Sequence, residues 1–206
     1  HGFDPAAIGL DGFGKGEGYL QRQLRRWSEN YHLSATEEIA EMDRLIGWLP
    51  DHLPRSQRSA IIHGDYRLDN LILAPDGPDI RAVLDWELAT IGDPFADLVY
   101  HLMTWVMPRS DTGAGTGSLQ GVDLAALGLP SLEEHAADYA KQAGLAALPA
   151  LEPYLAYNFF RLAAILQGIV GRVRDGTASN DNAVAMANQV RPLAQAGWFW
   201  AQKAKP

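Results

Sequence analysis

Cysteine is missing from the 206 residues of the chain, and so is any long uninterrupted hydrophobic run. Without cysteine there is no disulfide framework, no thiol nucleophile and no thiolate metal ligand. The most apolar stretch, residues 154–173, is interrupted by Asn158, Arg161, Gln167 and Arg172. A bilayer span needs about 20 mostly apolar residues. We therefore expect a protein that does not cross a membrane, and the lack of cysteine favours a cytoplasmic location.

Positive charge is also scarce. The chain has 17 Lys and Arg residues against 25 Asp and Glu residues, which gives a formal net charge of −8 at pH 7. Nucleic-acid binding needs a basic patch or stripe, and the basic cluster Arg22, Arg25 and Arg26 is too small to supply one. We expect no nucleic-acid partner. The length and the 47% hydrophobic content are sufficient for one substantial core.

Three short apolar runs in the middle of the chain are followed by polar residues. The runs at residues 61–62, 71–73 and 82–84 are strand-like and bounded by turn-forming residues. The turn at residues 74–79 is rich in Pro, Asp and Gly, so it is predicted to pair the second run with the third. The polar side chains of the loops then meet at adjacent strand ends, where catalytic groups are often placed. In chain order they are His63, Asp65, Arg67, Asp69, Asn70, Asp85 and Glu87.

The spacing of these side chains matches a pattern for phosphoryl transfer. Asp65 precedes Asn70 by five positions, and Asp85 follows Asn70 by fifteen. Protein kinases have this arrangement in H-R-D-x-x-x-x-N followed by a D-F-G aspartate. Here Gly replaces the Arg, and Trp-Glu replaces Phe-Gly. The reaction needs a carboxylate for the hydroxyl proton, with an amide oxygen and a second carboxylate for Mg²⁺, and Mg²⁺ takes few protein ligands.

The motifs together resemble a known family. H-G-D-Y-R-L-D-N, L-D-W-E and G-D-P-F-A-D-L resemble the aminoglycoside phosphotransferase (choline kinase-like) superfamily. They are most similar to the branch of kinase-like domains of the acyl-CoA dehydrogenase 10 and 11 type. The resemblance extends from about Asp4 to the C-terminus. It implies ATP- and Mg²⁺-dependent transfer of the γ-phosphoryl group to a hydroxyl of a small molecule.

The resemblance also implies roles for individual residues. Asp65 is expected to be the catalytic base, with His63 in the same catalytic loop as its support. Asn70 and Asp85 are expected to bind Mg²⁺ and, through the metal, ATP. Asp97, in the D-P-F-A-D motif, is expected to hydrogen-bond back to the loop and support its structure.

Four further residues are weaker candidates. Glu87 stands two positions after Asp85, so it is predicted to point to the same side, either as a weak metal ligand or as a surface acid. Arg67 is a candidate structural support of the catalytic loop. Asn158 and Arg161 are candidate contacts to the acceptor. The acceptor pocket depends on side chains from several helices, and the resemblance extends over enzymes acting on antibiotics, choline and sugars.

The same pattern is compatible with three readings besides a kinase. Asp and Asn are common in loops because they form turns, and His63 could be a structural histidine. The chain could be a non-catalytic nucleotide- or ligand-binding module that retains a kinase-like scaffold, although intact Asp65, Asn70 and Asp85 argue against this. Metal-dependent hydrolysis by His63, Asp65 and Asp85 lacks the additional ligands that such sites usually have.

The first residues show neither an initiator Met nor a signal region. A kinase-like enzyme also needs an N-terminal lobe with a phosphate-covering loop and a strand lysine, and neither is recognisable before Asp65. Residues 12–16, G-F-G-K-G, follow no strand, so a flexible turn is predicted there. We expect a single domain over residues 1–206, a C-terminal lobe whose N-terminal ATP-binding lobe is absent from this chain and which is inactive when isolated.

Helical periodicity dominates the rest of the chain. Helices are predicted over residues 4–10 (one turn), 18–31, 36–49, 95–105, 131–143, 149–173 and 182–203. Ser34 or Thr36 is expected to cap the third of these, Pro50 and Pro54 to end it, and Pro192 to kink the last. Residues 108–121 are predicted to be mobile. The predicted fold is α+β and mostly α-helical, the C-terminal lobe of a protein-kinase-like fold with short β-hairpins carrying the catalytic loop.

Overall fold

The fold is mostly helical. The computed structural model describes residues 1–55, 58–109, 117–177 and 183–205, with side chains from residue 185 onward in the last range. Six α-helices lie within these ranges. They are α1 (Tyr19–Ser34), α2 (Ala40–His52), α3 (Pro94–Val106), α4 (Leu132–Gln142), α5 (Glu152–Arg174) and α6 (Ala183–Lys203). Single 3₁₀ turns are found at Leu68–Asn70, Trp86–Leu88 and Ala125–Leu127.

Four short strands in the described ranges form two antiparallel pairs. The strands are β1 (Ala60–Ile62), β2 (Leu71–Leu73), β3 (Ile80–Val83) and β4 (Thr90–Gly92). β1 pairs with β4, and β2 pairs with β3. The predicted pairing across the turn at residues 74–79 is therefore confirmed. Because the β2–β3 pair is enclosed in the chain by the β1–β4 pair, the loop after β1 and the loop after β3 are brought together.

The core is centred on α5. This helix packs most extensively against α6 and also contacts α1, α2 and α3. Its aromatic side chains Tyr154, Tyr157, Phe159 and Phe160 are at most 1% exposed and belong to the core. Burial of a large apolar side chain contributes about 1.5–3 kcal/mol. The helices therefore supply most of the stability, and the three- and four-residue strands are held in place by them.

Two helices begin with side-chain caps. The Asp93 carboxylate accepts a hydrogen bond from the Phe95 N–H (2.9 Å) at the start of α3, and Pro94 occupies the first helical position. At α4 the Ser131 hydroxyl accepts from the Glu134 N–H (3.1 Å), and the Glu134 carboxylate accepts from the Ser131 N–H (2.8 Å). This capping box satisfies donors that the first helical turn leaves free.

The boundaries of α2 differ from the prediction. The helix begins at Ala40, and the residue before it, Ile39, makes no side-chain cap. Ser34 belongs to the end of α1, where its hydroxyl donates to a carbonyl one turn back, and Thr36 precedes the helix. Pro50 lies inside α2. Proline removes one hydrogen bond to the turn before it and crowds the carbonyl there, and the helix ends two residues later at His52.

The glycine-rich turn at residues 12–16 is packed against the β1–β4 pair. A Cβ atom on Gly16 would lie 2.6 Å from Ser59 Oγ, and one on Gly14 would lie 2.8 Å from the backbone nitrogen of Ile91. Real Cβ atoms do not come that close to other heavy atoms. The predicted turn is present, and its flexibility stays a prediction. Glycine is needed at positions 14 and 16 because the backbone there lies close to residues 59 and 91.

Several smaller predictions have mixed outcomes. Residues 4–10 form a hydrogen-bonded turn, with the Leu10 N–H donating to Pro5 O (2.7 Å), and not a helix. α5 begins at Glu152, three residues later than predicted, and Pro192 lies inside α6. Half of the segment predicted to be mobile, residues 110–116, and Asn182 lie outside the described residues. In the described part of the chain, no helix combines the length and the apolar character that a membrane crossing requires.

Candidate active site

The loop between β1 and β2 is fixed by an aspartate from the first turn of α3. Asp97 accepts hydrogen bonds from the backbone N–H groups of His63 (2.9 Å) and Gly64 (2.8 Å). The Asp97 side chain is buried, and its Oδ2 also lies 3.2 Å from His1 Nε2. The expected hydrogen bond from Asp97 back to the loop is present. A buried carboxylate that receives two main-chain donors fixes the loop backbone strongly.

Gly64 is required at the centre of this loop. Its φ is +84°, in the left-handed region, and a Cβ atom there would lie 2.8 Å from the carbonyl oxygen of Leu88. A side chain at this position would therefore be strained by the backbone conformation and would also clash with the backbone of Leu88. The Gly that replaces the Arg of the kinase motif thus has a structural cause.

His63 connects the two loops of the site through its ring nitrogens. Nε2 is 2.7 Å from the carbonyl oxygen of Leu84, and Nδ1 is 3.3 Å from the backbone nitrogen of Asp65. A carbonyl only accepts and an amide N–H only donates, so the partners assign the neutral tautomer with the proton on Nε2. Both nitrogens are occupied by main-chain partners. The geometry therefore fits His63 as a support of the loop and gives it no free nitrogen for a substrate.

The Asp65 carboxylate is held by two donors from different elements. Its Oδ1 accepts from the Tyr100 hydroxyl (2.7 Å), and its Oδ2 accepts from Asn70 Nδ2 (3.1 Å). Asn70 Nδ2 also donates to the main-chain oxygen of Asp65 (2.8 Å). The two motif residues five positions apart are thus one hydrogen-bonded unit. A carboxylate has about four acceptor positions, so two remain for a substrate hydroxyl.

Asn70 and Asp85 lie at the adjacent ends of β2 and β3. The Leu84 N–H donates to the carbonyl oxygen of Asn70 (2.8 Å), which continues the strand pairing up to the residue before Asp85. Asp85 has φ 64° and ψ 54°, and it is the one non-glycine residue with positive φ among those described. The adjacency predicted from the turn is present.

The donor set at these two positions fits a magnesium ion. Within the described part of the chain, the Asp85 carboxylate accepts no hydrogen bond and makes no ion pair, and Asn70 Oδ1 accepts none. The Asn70 side-chain nitrogen donates to Asp65, which leaves the side-chain oxygen Oδ1 available to a cation. An amide oxygen and a carboxylate are the hard ligands that Mg²⁺ accepts beside its waters and phosphates.

The described residues offer no site that would hold a metal by protein ligands alone. No group of three or more His, Cys, Asp or Glu side chains among the described residues is placed to hold a metal ion. This argues against the hydrolytic alternative, which needs such a set.

Glu87 lies exposed in the 3₁₀ turn after Asp85, and its role as a weak ligand stays a prediction. Arg67 is half-buried, and its Nε donates to Asp69 Oδ2 (2.8 Å) across the loop.

Two residues that hold the loop were not predicted from the sequence to do so. Tyr100 bonds Asp65 directly, and burial together with that bond raises its pKa to about 12. Arg161 donates from Nη2 to the carbonyl oxygen of Gly64 (2.7 Å), and its guanidinium lies 5.2 Å from the Tyr100 ring centroid. Tyr100 stands three positions after Asp97 on α3, and this helical spacing could have indicated that it shares the face toward the loop.

The structure corrects the prediction for Asn158 and Arg161. Both are buried in α5 and not on an exposed wall. Asn158 Nδ2 donates to the carbonyl oxygen of Ala96 in α3 (3.1 Å), while Arg161 reaches the loop. Neither is therefore a candidate contact to an acceptor. The two side chains join α5 to α3 and to the catalytic loop.

A row of half-buried rings extends from the catalytic loop along α3 to α4. Tyr66 contacts His101 edge-on (5.6 Å between centroids), and Trp105 stacks on His135 (5.0 Å). His101 Nε2 lies 3.2 Å from His135 Nε2. Burial, and secondarily the neighbouring His135, lower the pKa of His101 to about 4, so its ring is neutral near pH 7. This aromatic surface begins one residue from Asp65.

Comparison with known proteins identifies relatives of the whole chain. A family model, APH, described as a phosphotransferase enzyme family, matches residues 1–116, which include the catalytic loop, Asp85 and Asp97. Acyl-CoA dehydrogenase family member 10 of Mus musculus is 41% identical over 206 residues, which cover 98% of this chain and 19% of that protein. Member 11 of Homo sapiens is 36% identical over 199 residues, covering 96% and 25%. The chain spans about a fifth to a quarter of the length of these curated relatives.

A solved structure supports the same assignment. A Ralstonia eutropha JMP134 protein described as an aminoglycoside phosphotransferase matches all of this chain and 62% of its own, with a TM-score of 0.92 and 44% sequence identity. The predicted fold, a mostly helical C-terminal lobe of the kinase-like type, is confirmed by this likeness. The resemblance drawn from the three motifs is confirmed as well. The chain belongs to the phosphotransferase enzyme family that the APH model describes.

Proposed function

We propose that this chain is the catalytic lobe of an ATP- and Mg²⁺-dependent enzyme that transfers the γ-phosphoryl group to a hydroxyl of a small molecule. The observation that carries the proposal is the unit formed by Asp65 and Asn70, whose backbone is bonded to the residue before Asp85. One connected unit thus holds a carboxylate with free acceptor positions beside two oxygens that suit Mg²⁺.

Each residue has a task in this reaction. Asp65 orients the acceptor hydroxyl and accepts its proton as the oxygen attacks phosphorus. Asn70 Oδ1 and the Asp85 carboxylate would hold the metal. Mg²⁺·ATP, when bound, supplies the phosphoryl group and the charge neutralisation from which most of the rate enhancement comes. His63 fixes the distance between the two loops, because its ring bonds the main chain of both.

A nucleotide-binding lobe is part of the proposal. The β2–β3 pair and the turn after it carry large apolar side chains that are 44–52% exposed. These are Ile72, Leu73, Ile80, Leu84, Trp86 and Leu88. Contiguous exposed apolar side chains mark surfaces that something covers. More than a third of the solved relative lies outside the match to this chain, which is room for an N-terminal lobe over Asp85. A cytoplasmic location, where ATP is supplied, belongs to the same proposal.

The metal half of the proposal is tested by calorimetry on the intact gene product. We would titrate a non-hydrolysable ATP analogue with Mg²⁺ into wild type and into Asp85→Asn. Asn tolerates positive φ, so the variant keeps the backbone and loses only the charge. We expect binding at least about 100-fold weaker in the variant, the effect of roughly 3 kcal/mol. Asp76→Asn removes an exposed acid in the turn of the same hairpin and serves as the matched control.

Turnover is tested in parallel by ADP release with a panel of small hydroxyl compounds. We expect release from wild type with at least one acceptor and release about 10²- to 10⁴-fold slower from Asp65→Asn, the contribution of a general base. Equal analogue binding by wild type and Asp85→Asn would contradict the metal assignment. Binding without ADP release for any acceptor would instead favour the non-catalytic nucleotide-binding module.

A further inference from the structure

The hydroxyl of Tyr100 makes the shortest contact to the Asp65 carboxylate. It donates to Oδ1 at 2.7 Å, while the Asn70 amide reaches Oδ2 at 3.1 Å. The motif that defines the family pattern contains Asn70 but not Tyr100. Torsion about the last bond of an aspartate side chain is broad and roughly two-fold. One donor on a single oxygen therefore leaves the carboxylate plane free to turn, whereas two donors on different oxygens fix it.

The two donors come from independent parts of the fold. Asn70 precedes β2 in the same loop as Asp65, so it moves with that loop. Tyr100 is on α3, a helix with seven buried residues that also carries Asp97. The hydrogen bond from Tyr100 thus anchors the Asp65 carboxylate to the helical core. Tyr100 and Asp65 are 35 positions apart in the chain.

The ring of Tyr100 is itself held in place by Arg161 of α5. The Arg161 guanidinium lies 5.2 Å from its ring centroid and donates to the carbonyl oxygen of Gly64, the residue before Asp65. A cation over an aromatic face is attracted to it, more strongly when both are desolvated. Arg161 is 8% exposed. The loop backbone, the tyrosine ring and the arginine are therefore one packed unit.

The tyrosine remains a donor in the working range of the protein. Burial, and then the bond to Asp65, raise the pKa of Tyr100 to about 12. Near pH 7 its hydroxyl therefore keeps its proton and cannot take one from a substrate. Its contribution has to act through Asp65.

We propose that Tyr100 is a positioning residue that fixes the Asp65 carboxylate for the acceptor hydroxyl, with Arg161 holding its ring. The inference rests on the proposed function, because it requires Asp65 to act in transfer. A misplaced reacting group costs up to about 100-fold in rate. We therefore expect Tyr100→Phe to lower kcat by about 10- to 100-fold and to leave KM for ATP and for the acceptor within about twofold, since the Tyr100 hydroxyl is committed to Asp65 and its loss changes how that carboxylate is oriented.

The chain offers a matched control. Tyr154 on α5 donates its hydroxyl to Asp93 Oδ2 at 2.9 Å, and it too has a raised pKa, because of burial first and Asp93 second. The chemical change in Tyr154→Phe is the same, the loss of one buried tyrosine–aspartate hydrogen bond. Asp93 caps α3 and has no task in the proposed transfer. Tyr154→Phe should lower the thermal midpoint and leave kcat within about twofold.

The decisive experiment is a double-mutant cycle in the intact gene product, using single-turnover transfer from ATP to an acceptor found active with wild type. The variants are Tyr100→Phe, Asp65→Asn, the double variant and Tyr154→Phe, each checked for its thermal midpoint. If Tyr100 acts through Asp65, Tyr100→Phe lowers the rate in wild type and has no further effect in the Asp65→Asn background. Rescue is expected with 3-fluorotyrosine at position 100, which retains the donor.

Each outcome separates the two proposals. Equal additional losses in both backgrounds, or a kcat for Tyr100→Phe within twofold of wild type, would overturn the positioning role while leaving Asp65 as the base. A rate for Asp65→Asn equal to wild type would overturn the proposed function itself. A loss in Tyr154→Phe as large as in Tyr100→Phe would show a general effect of stability and would also overturn the inference.

Discussion

The two halves of the site are built in opposite ways. The loop with Asp65 is held from below by buried groups, namely the carboxylate of Asp97, the guanidinium of Arg161 and the hydroxyl of Tyr100. Asp85 stands exposed after a two-stranded pair, with no hydrogen-bond partner for its carboxylate among the described residues. The half proposed to position the acceptor is completed by the fold. The half proposed to hold the metal is left open, and in the proposed reaction its partners arrive with the nucleotide.

The comparison predicts the largest loss of stability at Asp97. In Asp97→Ala, the N–H groups of His63 and Gly64 lose their acceptor inside the protein. An unsatisfied buried donor costs about 1–3 kcal/mol, so we expect a decrease of about 3 kcal/mol in the free energy of unfolding, measured by urea titration. Asp97→Asn keeps one acceptor oxygen and should lose about half as much. A loss below about 1 kcal/mol for Asp97→Ala would show that the loop is not held by these bonds.

A methyl group on Gly64 should destabilise the loop that carries Asp65 through steric strain. In Gly64→Ala, the Cβ would lie 2.8 Å from the carbonyl oxygen of Leu88 at a φ of +84°. We expect a destabilisation of about 1–3 kcal/mol, together with reduced turnover, since the loop has to shift. Gly77 in the turn of the hairpin has no positive φ, and a methyl group added there would meet nothing within 4 Å. Equal unfolding free energies for Gly64→Ala and Gly77→Ala would contradict the strain.

These cases show where sequence reasoning is sufficient. The positions of Asp65, Asn70 and Asp85 could be predicted because their spacing is local and the turn between β2 and β3 is strong. Chemistry that is local in sequence, within about 20 residues, carried these predictions.

Tertiary contacts could not be predicted in the same way. Tyr100 lies 35 positions from Asp65, and Arg161 lies 97 positions from Gly64. A lone arginine in an apolar helix can have several roles until its partner is known. The start of α2 was misplaced because Ser34 and Thr36 both have capping side chains, while the helix begins after Ile39 with no side-chain cap. Packing overrode the local preference there.

The free energy of unfolding should depend on pH through His101, in the aromatic surface beside the loop. The pKa of His101 is lowered to about 4 by burial and by His135, partly opposed by Asp97, whereas the unfolded chain titrates near 6.5. Between these values the unfolded chain binds a proton that the folded chain does not. Stability is therefore complete above about pH 6.5 and falls as the pH drops toward 4, by about 1–3 kcal/mol.

Urea titrations between pH 7.5 and 4.5 measure this effect. We expect His101→Gln to be less sensitive to acid than wild type, because the group responsible is removed. His32→Gln, at an exposed histidine of α1, should keep the wild-type dependence. If His101→Gln keeps that dependence as well, the buried imidazole is not the cause.

The smallest predicted effect concerns the open half of the site. Asp85 is at φ 64°, where a side chain costs about 1 kcal/mol relative to glycine. Asp85→Gly should therefore leave the free energy of unfolding unchanged or raise it by up to about 1 kcal/mol, while removing the carboxylate proposed to bind Mg²⁺. Urea titration measures the first and analogue calorimetry the second. A destabilisation above about 1 kcal/mol would show that Asp85 also supports the fold.

The antiparallel pairing of β2 and β3 also governs how homologous sequences can change in length. Asn70 directly precedes β2, and Asp85 follows β3 after one residue whose N–H bonds Asn70. These short steps cannot gain a residue without turning the side chains to the other face. The turn between the strands is exposed at residues 75–79 and can gain or lose residues there. Homologues should therefore be found by anchoring a search on the two strand ends and leaving the gap between them free, since a fixed fifteen-position spacing would miss those whose hairpin has grown or shrunk.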